Sequence, residues 1–415
     1  MRLNVFKNTV LLFVLVMISC GNITKSKSEK AIVLDTDIPK QNQEDKSIVV
    51  GANQTALYLP ILEGKRVGIV ANQTSVIFKN DEKNTHTHLV DSLLALKVNI
   101  KSVFAPEHGF RGTADAGEVI KDGVDVKTNL PIVSLYGKNK KPSVAQLKDL
   151  DIVVFDIQDV GARFYTYISS LHYVMEACAE QNIPVLILDR PNPNGHYFDG
   201  PILEKAHKSF VGMHPIPTVH GMTIGEYAKM INGEKWLTNG VKCELQVIPV
   251  KNYNRNLSYN LPIKPSPNLP NDKAINLYPS LCFFEGTNVS AGRGTDTQFQ
   301  IFGSPFLNAE IFPFQFKPQT NPGAKYPKYE NKLCYGENLT KTENLNALNL
   351  NWLIKAYHNT ENKSEFFISF FTKLAGTKTL QQQIETGLSA EEIKASWADG
   401  LTAFGKMRAK YLIYE

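Results

Sequence analysis

Apolar residues in the first half of the chain come in short runs, and each run closes on a burst of polar and charged residues. Residues 67–70 lead into Asn72-Gln73-Thr74, and residues 100–104 into Glu107-His108-Gly109-Phe110-Arg111. Residues 152–155 lead into Asp156-Ile157-Gln158-Asp159, with Arg163 just beyond, and residues 185–188 into Asp189-Arg190-Pro191-Asn192. Runs this short and this rich in Val and Ile read as parallel strands buried on both faces. Helical patterns lie between them: residues 55–63, then Leu89, Leu93, Leu94 and Leu96, then residues 144–150. Ile168, Leu171, Val174, Met175 and Cys178 form one stripe of a longer helix. Residues 131–135 add a further strand. This alternation predicts an α/β fold with a Rossmann-like, doubly wound, mostly parallel sheet. In such a sheet ligands bind beyond the carboxyl ends of the strands, so the polar bursts are expected to meet at one edge.

The rhythm changes after about residue 240. One more strand is read at 247–250. Residues 251–275 are dense in Pro and Asn and read as a boundary or extended linker. A strand at 299–302, aromatic-rich loops over 305–335 and helices near 351–375, 378–386 and 389–412 follow. Ser389-Ala390-Glu391-Glu392 gives the last helix a capping box. The expected division is a Rossmann-like catalytic domain over 47–268 and a smaller α+β domain over 269–415 that completes the cleft. At the other end, Arg2 and Lys7 precede an apolar stretch at 10–18 and then Ser19-Cys20. That stretch is well short of the roughly 20 residues a spanning helix needs. It reads as a lipoprotein-type signal peptide over 1–20 with lipidation at Cys20, and the polar residues 21–46 as a flexible tether. The expected protein is exported, membrane-bound only through a lipid anchor, and faces the periplasm.

Charge and cysteines narrow the chemistry. A formal charge of +5 over 415 residues is too mild and too dispersed for nucleic-acid binding, but suits an anionic small substrate. Cys178, Cys243, Cys282 and Cys334 match no metal knuckle, and Cys178 reads as a buried free thiol. The first strand is followed by Asn72-Gln73-Thr74-Ser75 and not by the glycine-rich turn a pyrophosphate requires, which argues against a dinucleotide. No cofactor and no metal are expected, and the pair His86 and His88 reads as surface at a helix start.

Glu107 is the sharpest candidate. A glutamate just past a buried strand can be partly desolvated by a cleft, which suits a general acid. His108 beside it could orient it or act as a base. The competing reading is a structural ion pair between Glu107 and Arg111. Asp115 and Glu118 are candidate second carboxylates, as are Asp156 and Asp159. Gln158, Arg163, Phe164, Tyr165 and Tyr167 combine polar groups with rings that can pack on a sugar, although core packing explains some of the rings. Glu285, Asn288 and Arg293, set among glycines, could line the same cleft or a surface loop. His220 is either a ligand group or a satisfied structural histidine.

Together these residues resemble the NamZ-type exo-β-N-acetylmuramidase family, a bacterial peptidoglycan-processing glycoside hydrolase group. The resemblance rests on residues 71–74, 104–112, 116–118, 134–137, 156–167, 189–193, 220–223, 265–268 and 285–295. It implies a Rossmann-like domain and a C-terminal domain with the site between them. It also implies release of N-acetylmuramic acid from the non-reducing end of peptidoglycan-derived glycan, with Glu107 as the acid. The lactyl carboxylate of that sugar calls for an arginine, from Arg111, Arg163 or Arg293. Its acetamido group calls for an amide partner such as Asn72 or Asn288. The acetamido group itself could replace a second carboxylate as nucleophile. Two other readings stay open. One is a non-catalytic lipoprotein that binds muropeptides or sugars. The other is an ester or amide hydrolase using His108 or His220, for which the chain shows no nucleophile turn.

Overall fold

Seven strands form one sheet whose central strands are apolar on both faces. The computed structural model describes residues 46–79, 85–112 and 122–415. The expected signal peptide and Cys20, nearly all of the tether, and the candidates Asp115 and Glu118 lie outside the described residues. The strands in chain order are β1 (Val67–Ala71), β2 (Ile100–Ala105), β3 (Gly123–Val124) and β4 (Pro131–Ser134), then β5 (Ile152–Asp156), β6 (Val185–Leu188) and β7 (Leu245–Ile248). β1, β5 and β6 are buried at every position. Across the sheet the order is β3-β4-β2-β1-β5-β6-β7, parallel throughout except for the short edge strand β3. Leaving out β3, this is the doubly wound order, with the reversal of direction between β1 and β5. The polar bursts therefore do share one edge.

Helix α1 (Tyr167–Glu180) follows β5 and buries Leu171, Val174, Met175 and Cys178, the stripe read from the sequence. Cys178, Cys243, Cys282 and Cys334 are all free and buried. His86 is exposed and His88 stands at the start of the helix Leu89–Ala95, as expected; the residues His86–His88 also form a short strand paired to Val76–Phe78. The His88 side chain is half-buried and caps the helix by accepting from the Val90 N–H.

Residues 46–415 pack as one compact unit. The Pro/Asn-rich stretch is irregular, as expected, but it is no open linker. Ser266, Asn268 and Leu269 are buried, and helix α2 (Asp272–Leu281) starts within its last residues, capped by Asn271. The C-terminal part adds a three-stranded antiparallel sheet of β8 (Ile301–Ser304), β9 (Phe314–Phe316) and β10 (Cys334–Asn338). Helices Asn351–His358, Phe370–Ala375, Thr379–Glu385, Ala390–Ala395 and Ala398–Ala409 follow, with the Ser389 capping box in place.

Two buried cross-links join this part to the sheet. The Arg163 guanidinium is fully buried and donates to the carbonyls of Pro201, Ile216, Leu374 and Ala375 at 2.7–2.9 Å. Near the C-terminus, the Tyr414 hydroxyl donates to Asp189 Oδ2 at 2.6 Å, beneath the end of β6.

Candidate active site

The crevice between β1 and β5, where a doubly wound fold usually seats its ligand, is laced shut by the chain itself. The Ser75 hydroxyl donates to the carbonyl of Asp156, and the Gln158 N–H to Thr74 Oγ1 at 3.1 Å. Asn72 is buried, and its side-chain oxygen accepts from both the N–H and the hydroxyl of Thr74. Gln158 donates to the carbonyls of Asp159 and Pro191. Asp156 has no exposed surface and is gripped by Arg190 at 2.6 and 2.9 Å. These polar groups hold loops together.

The open cavity lies on the other flank, past the ends of β2 and β4. It has a volume of about 290 Å³, near the low end for small-molecule sites. Glu107 comes from the loop after β2, and Tyr136 follows β4. Thr166 immediately precedes α1. The Tyr136 hydroxyl donates to Glu107 Oε1 at 3.0 Å and the Thr166 hydroxyl to Oε2 at 2.8 Å. Tyr167 adds a contact to the Glu107 carbonyl at 3.3 Å. Both carboxylate oxygens are thus fixed. Burial, with the Glu107 charge next in size, pushes the Tyr136 phenol well up, so it remains a donor at neutral pH. His108 is buried and lines the cavity with a left-handed backbone at φ 71°. A non-glycine residue in that region is strained, and such strain gathers at functional loops.

The opposite wall is C-terminal. Tyr278, Cys282, Glu285, Arg293 and Phe299 line it. Arg293 reaches Glu285 at 3.4 Å and the Gly323 carbonyl at 3.1 Å, and its buried Nε has no hydrogen-bond partner among the described residues. Tyr278 feels both carboxylates: after burial, its phenol is raised further by smaller contributions that include Glu107 and then Glu285. Lys328 shapes this wall from behind by donating to the carbonyls of Phe284, Glu285, Thr287 and Val289. Burial pulls its ammonium down. Phe164 and Tyr165 line the cavity, with the Tyr165 hydroxyl tied to the Pro265 carbonyl at 2.7 Å, while Tyr167 is core.

Glu107, His108, Tyr165, Glu285 and Arg293 therefore converge on one cavity. Asn72, Gln158, Asp156 and Arg163 are held elsewhere by the bonds already described. Asp159 and His220 form a buried pair of their own. The Met222 N–H donates to His220 Nδ1, which leaves Nε2 as the protonated nitrogen, 3.3 Å from Asp159 Oδ2. Asp159 Oδ2 also accepts from the Gly161 N–H. Arg111 is no partner to the cavity either, because it pairs bidentately with Asp125 and also meets Asp91. The Asn288 backbone bonds to Phe366 and Tyr329, and its residue does not line the cavity. Sequence reasoning did not single out Tyr136, Thr166 or Asn268, although each sits inside a stretch noted for other residues. Lys328, isolated in an aromatic loop, carried no signal.

A cavity with two carboxylates, an arginine and aromatic walls, at the carboxyl edge of a doubly wound sheet, is suited to a carbohydrate-active hydrolase. The chain belongs to the exo-β-N-acetylmuramidase NamZ family: residues 67–273 match its N-terminal domain and residues 276–414 its C-terminal domain. It is similar to the peptidoglycan β-N-acetylmuramidase NamZ of Bacillus subtilis (strain 168), at 37% identity over 431 aligned positions covering 98% of this chain and 100% of that one. Two crystal structures of DUF1343 family proteins from Bacteroides fragilis NCTC 9343 share the fold. The first has a TM-score of 0.81 at 48% identity, covering 89% of this chain and 99% of its own. The second has a TM-score of 0.74 at 27% identity, covering 89% and 100%.

Proposed function

We propose that this protein is an exo-acting glycoside hydrolase that releases N-acetylmuramic acid from the non-reducing end of peptidoglycan fragments. The observation that carries the reading is Glu107, held through both oxygens by Tyr136 and Thr166 at the cavity floor. A carboxyl group fixed in this way can deliver a proton to a glycosidic oxygen without first reorganising. Of the three arginines considered for the lactyl carboxylate, Arg111 and Arg163 are committed to other partners. Arg293 lines the cavity, and its Nε–H has no hydrogen-bond partner among the described residues. Among the described residues Glu285 is the other carboxylate that lines the cavity, in place of Asp156 or Asp159. Two-carboxylate catalysis, or one acid assisted by the substrate's acetamido group, fits this arrangement.

Release of chromophore from a nitrophenyl glycoside of N-acetylmuramic acid tests the reading. Glu107→Gln is expected to cut kcat by about 10²- to 10⁴-fold, the usual range for a general acid. Full turnover by that variant sinks the assignment of Glu107. Calorimetric affinity for the sugar with no turnover by the native chain supports a binding lipoprotein instead. The charged, apolar and cysteine-terminated leader supports export with lipidation at Cys20 and a periplasmic setting. Labelled palmitate should enter the native chain and not Cys20→Ala; equal labelling of the two rejects the anchor.

A further inference from the structure

The loop that carries Glu285 is built around a cation. The carbonyls of residues 284–289 divide into two sets. Those of Gly286 and Asn288 accept from the Ile368 N–H at 3.0 Å and from the Tyr329 hydroxyl. Those of Phe284, Glu285, Thr287 and Val289 converge on one atom, Lys328 Nζ, at 3.0, 3.2, 2.8 and 3.3 Å. Phe284, Thr287 and Val289 are buried. Carbonyl oxygens carry partial negative charge, so four that converge away from water need a positive centre with donors. A lysine suits this place better than an arginine, because its ammonium is a compact charge with three N–H groups and no fixed plane.

The residues on either side of Lys328 grip the same wall. Tyr329 holds the Asn288 carbonyl. Pro327 lies against Gly294, where an added Cβ would meet Pro327 Cβ at 2.6 Å. Gly294 directly follows Arg293. Residues 327–329 therefore touch both loops that bring charge to this wall, the one with Glu285 and the one with Arg293. Glu285 and Arg293 line the cavity, and Lys328 does not.

We infer that Lys328 is a positioning residue for the glycosidase: its ammonium, seated among the four carbonyls, sets where the Glu285 carboxylate and the Arg293 guanidinium stand. The inference deepens the glycosidase reading above and rests on it. The 3-10 turn Cys282–Gly286 ends on this cage, so a shift of the Phe284 and Glu285 carbonyls carries the Glu285 side chain with it. Arg293 meets Glu285 at 3.4 Å and follows. Lys328 acts on the substrate only through these two side chains. A misplacement of about 1 Å in such groups can cost on the order of 100-fold in rate.

The test compares the native chain with Lys328→Ala on the nitrophenyl glycoside of N-acetylmuramic acid, with n-propylammonium as the probe. That ion replaces what the substitution removes, a short carbon stem and its ammonium. Per folded molecule, kcat/KM of Lys328→Ala should fall on the order of 100-fold. Its calorimetric affinity for N-acetylmuramic acid should fall on the order of tenfold, the scale of one charge-assisted hydrogen bond lost at Arg293. n-Propylammonium should restore much of both losses. Tetramethylammonium, which carries the charge but no N–H, should restore neither. Native kcat/KM and affinity per folded molecule overturn the proposal, because a merely structural lysine changes only how much chain folds. A loss that n-propylammonium repairs no better than tetramethylammonium overturns it too. If Lys328→Ala does not fold, Tyr329→Phe decides, since it leaves the cage intact and frees only the Asn288 carbonyl. Its kcat/KM should fall on the order of threefold, and an unchanged value overturns the proposal. No turnover by the native chain, with an affinity that drops in Lys328→Ala and returns with n-propylammonium, defeats the glycosidase reading and leaves Lys328 its positioning role at a binding site. Native turnover that Lys328→Ala matches defeats the role of Lys328 alone.

Discussion

Two regions at the same sheet edge carry equally polar sequences and end in opposite states. Past β5 and β6, the groups Asp156, Gln158, Asp159, Arg190 and His220 are buried and bonded chiefly to one another or to backbone. Past β2 and β4, Glu107, Tyr136 and Thr166 bond to one another as well, but their shared carboxylate borders an open cavity. A polar burst after a buried strand therefore marks a place where the backbone needs partners as often as a place where a ligand does. What separates the two is whether a cavity remains once the internal partners are counted.

The sharpest contrast pits one substitution in each region against the other. Glu107→Gln should remove activity by the factor stated above with the melting temperature nearly unchanged. Arg190→Met leaves the fully buried Asp156 carboxylate unpaired and should cost about 3–5 kcal/mol of stability, read by denaturant unfolding. Wild-type stability in the Arg190 variant would break the comparison, because the closed cluster would then not be holding the fold.

A smaller effect extends the rule to a third polar group, a buried hydrogen-bonded run of Tyr227, His214 and His172. His214 bonds Tyr227 at 2.8 Å and His172 at 2.9 Å. His172 also faces Glu176 at 3.5 Å, with Lys141 and Lys208 nearby. Burial, outweighing the attraction of Glu176, lowers the His172 imidazole to about 4. The unfolded chain takes up that proton near pH 6.5 while the folded chain resists it. The stability from His172 is therefore complete above about pH 6.5 and falls as pH drops toward 4, by up to about 3 kcal/mol. Thermal melts between pH 7 and 4 should show the decline, and His172→Asn should make it shallower, with His88 and His214, whose imidazoles burial also lowers, supplying the remainder. An equally steep decline in that variant places the proton uptake elsewhere.

Much of the sheet was legible because burial on both faces writes itself as unbroken Val and Ile runs, and because helix stripes repeat at a fixed period. The Leu171-to-Cys178 stripe and the Ser389 capping box are local facts of the chain. Boundaries slipped where tertiary contacts competed with local pattern: residues 86–88 form a strand, and the Pro-rich stretch became a cavity wall. Among the candidates, Glu107, His108, Tyr165, Glu285 and Arg293 reached the cavity. Asp156, Arg163 and His220 did not, and no feature of their immediate neighbours in sequence distinguishes them.

Composition and spacing alone determined that this chain builds a doubly wound sheet with its polar chemistry at the strand ends, because solvent exclusion acts on each segment by residue type. They could not determine which polar ends stay open. That depends on partners far away in sequence, such as Arg190 for Asp156, the Leu374 and Ala375 carbonyls for Arg163, and Tyr136 and Thr166 for Glu107. Hydrogen-bond satisfaction is settled only when the whole chain has packed, and so the tertiary structure alone chose the site.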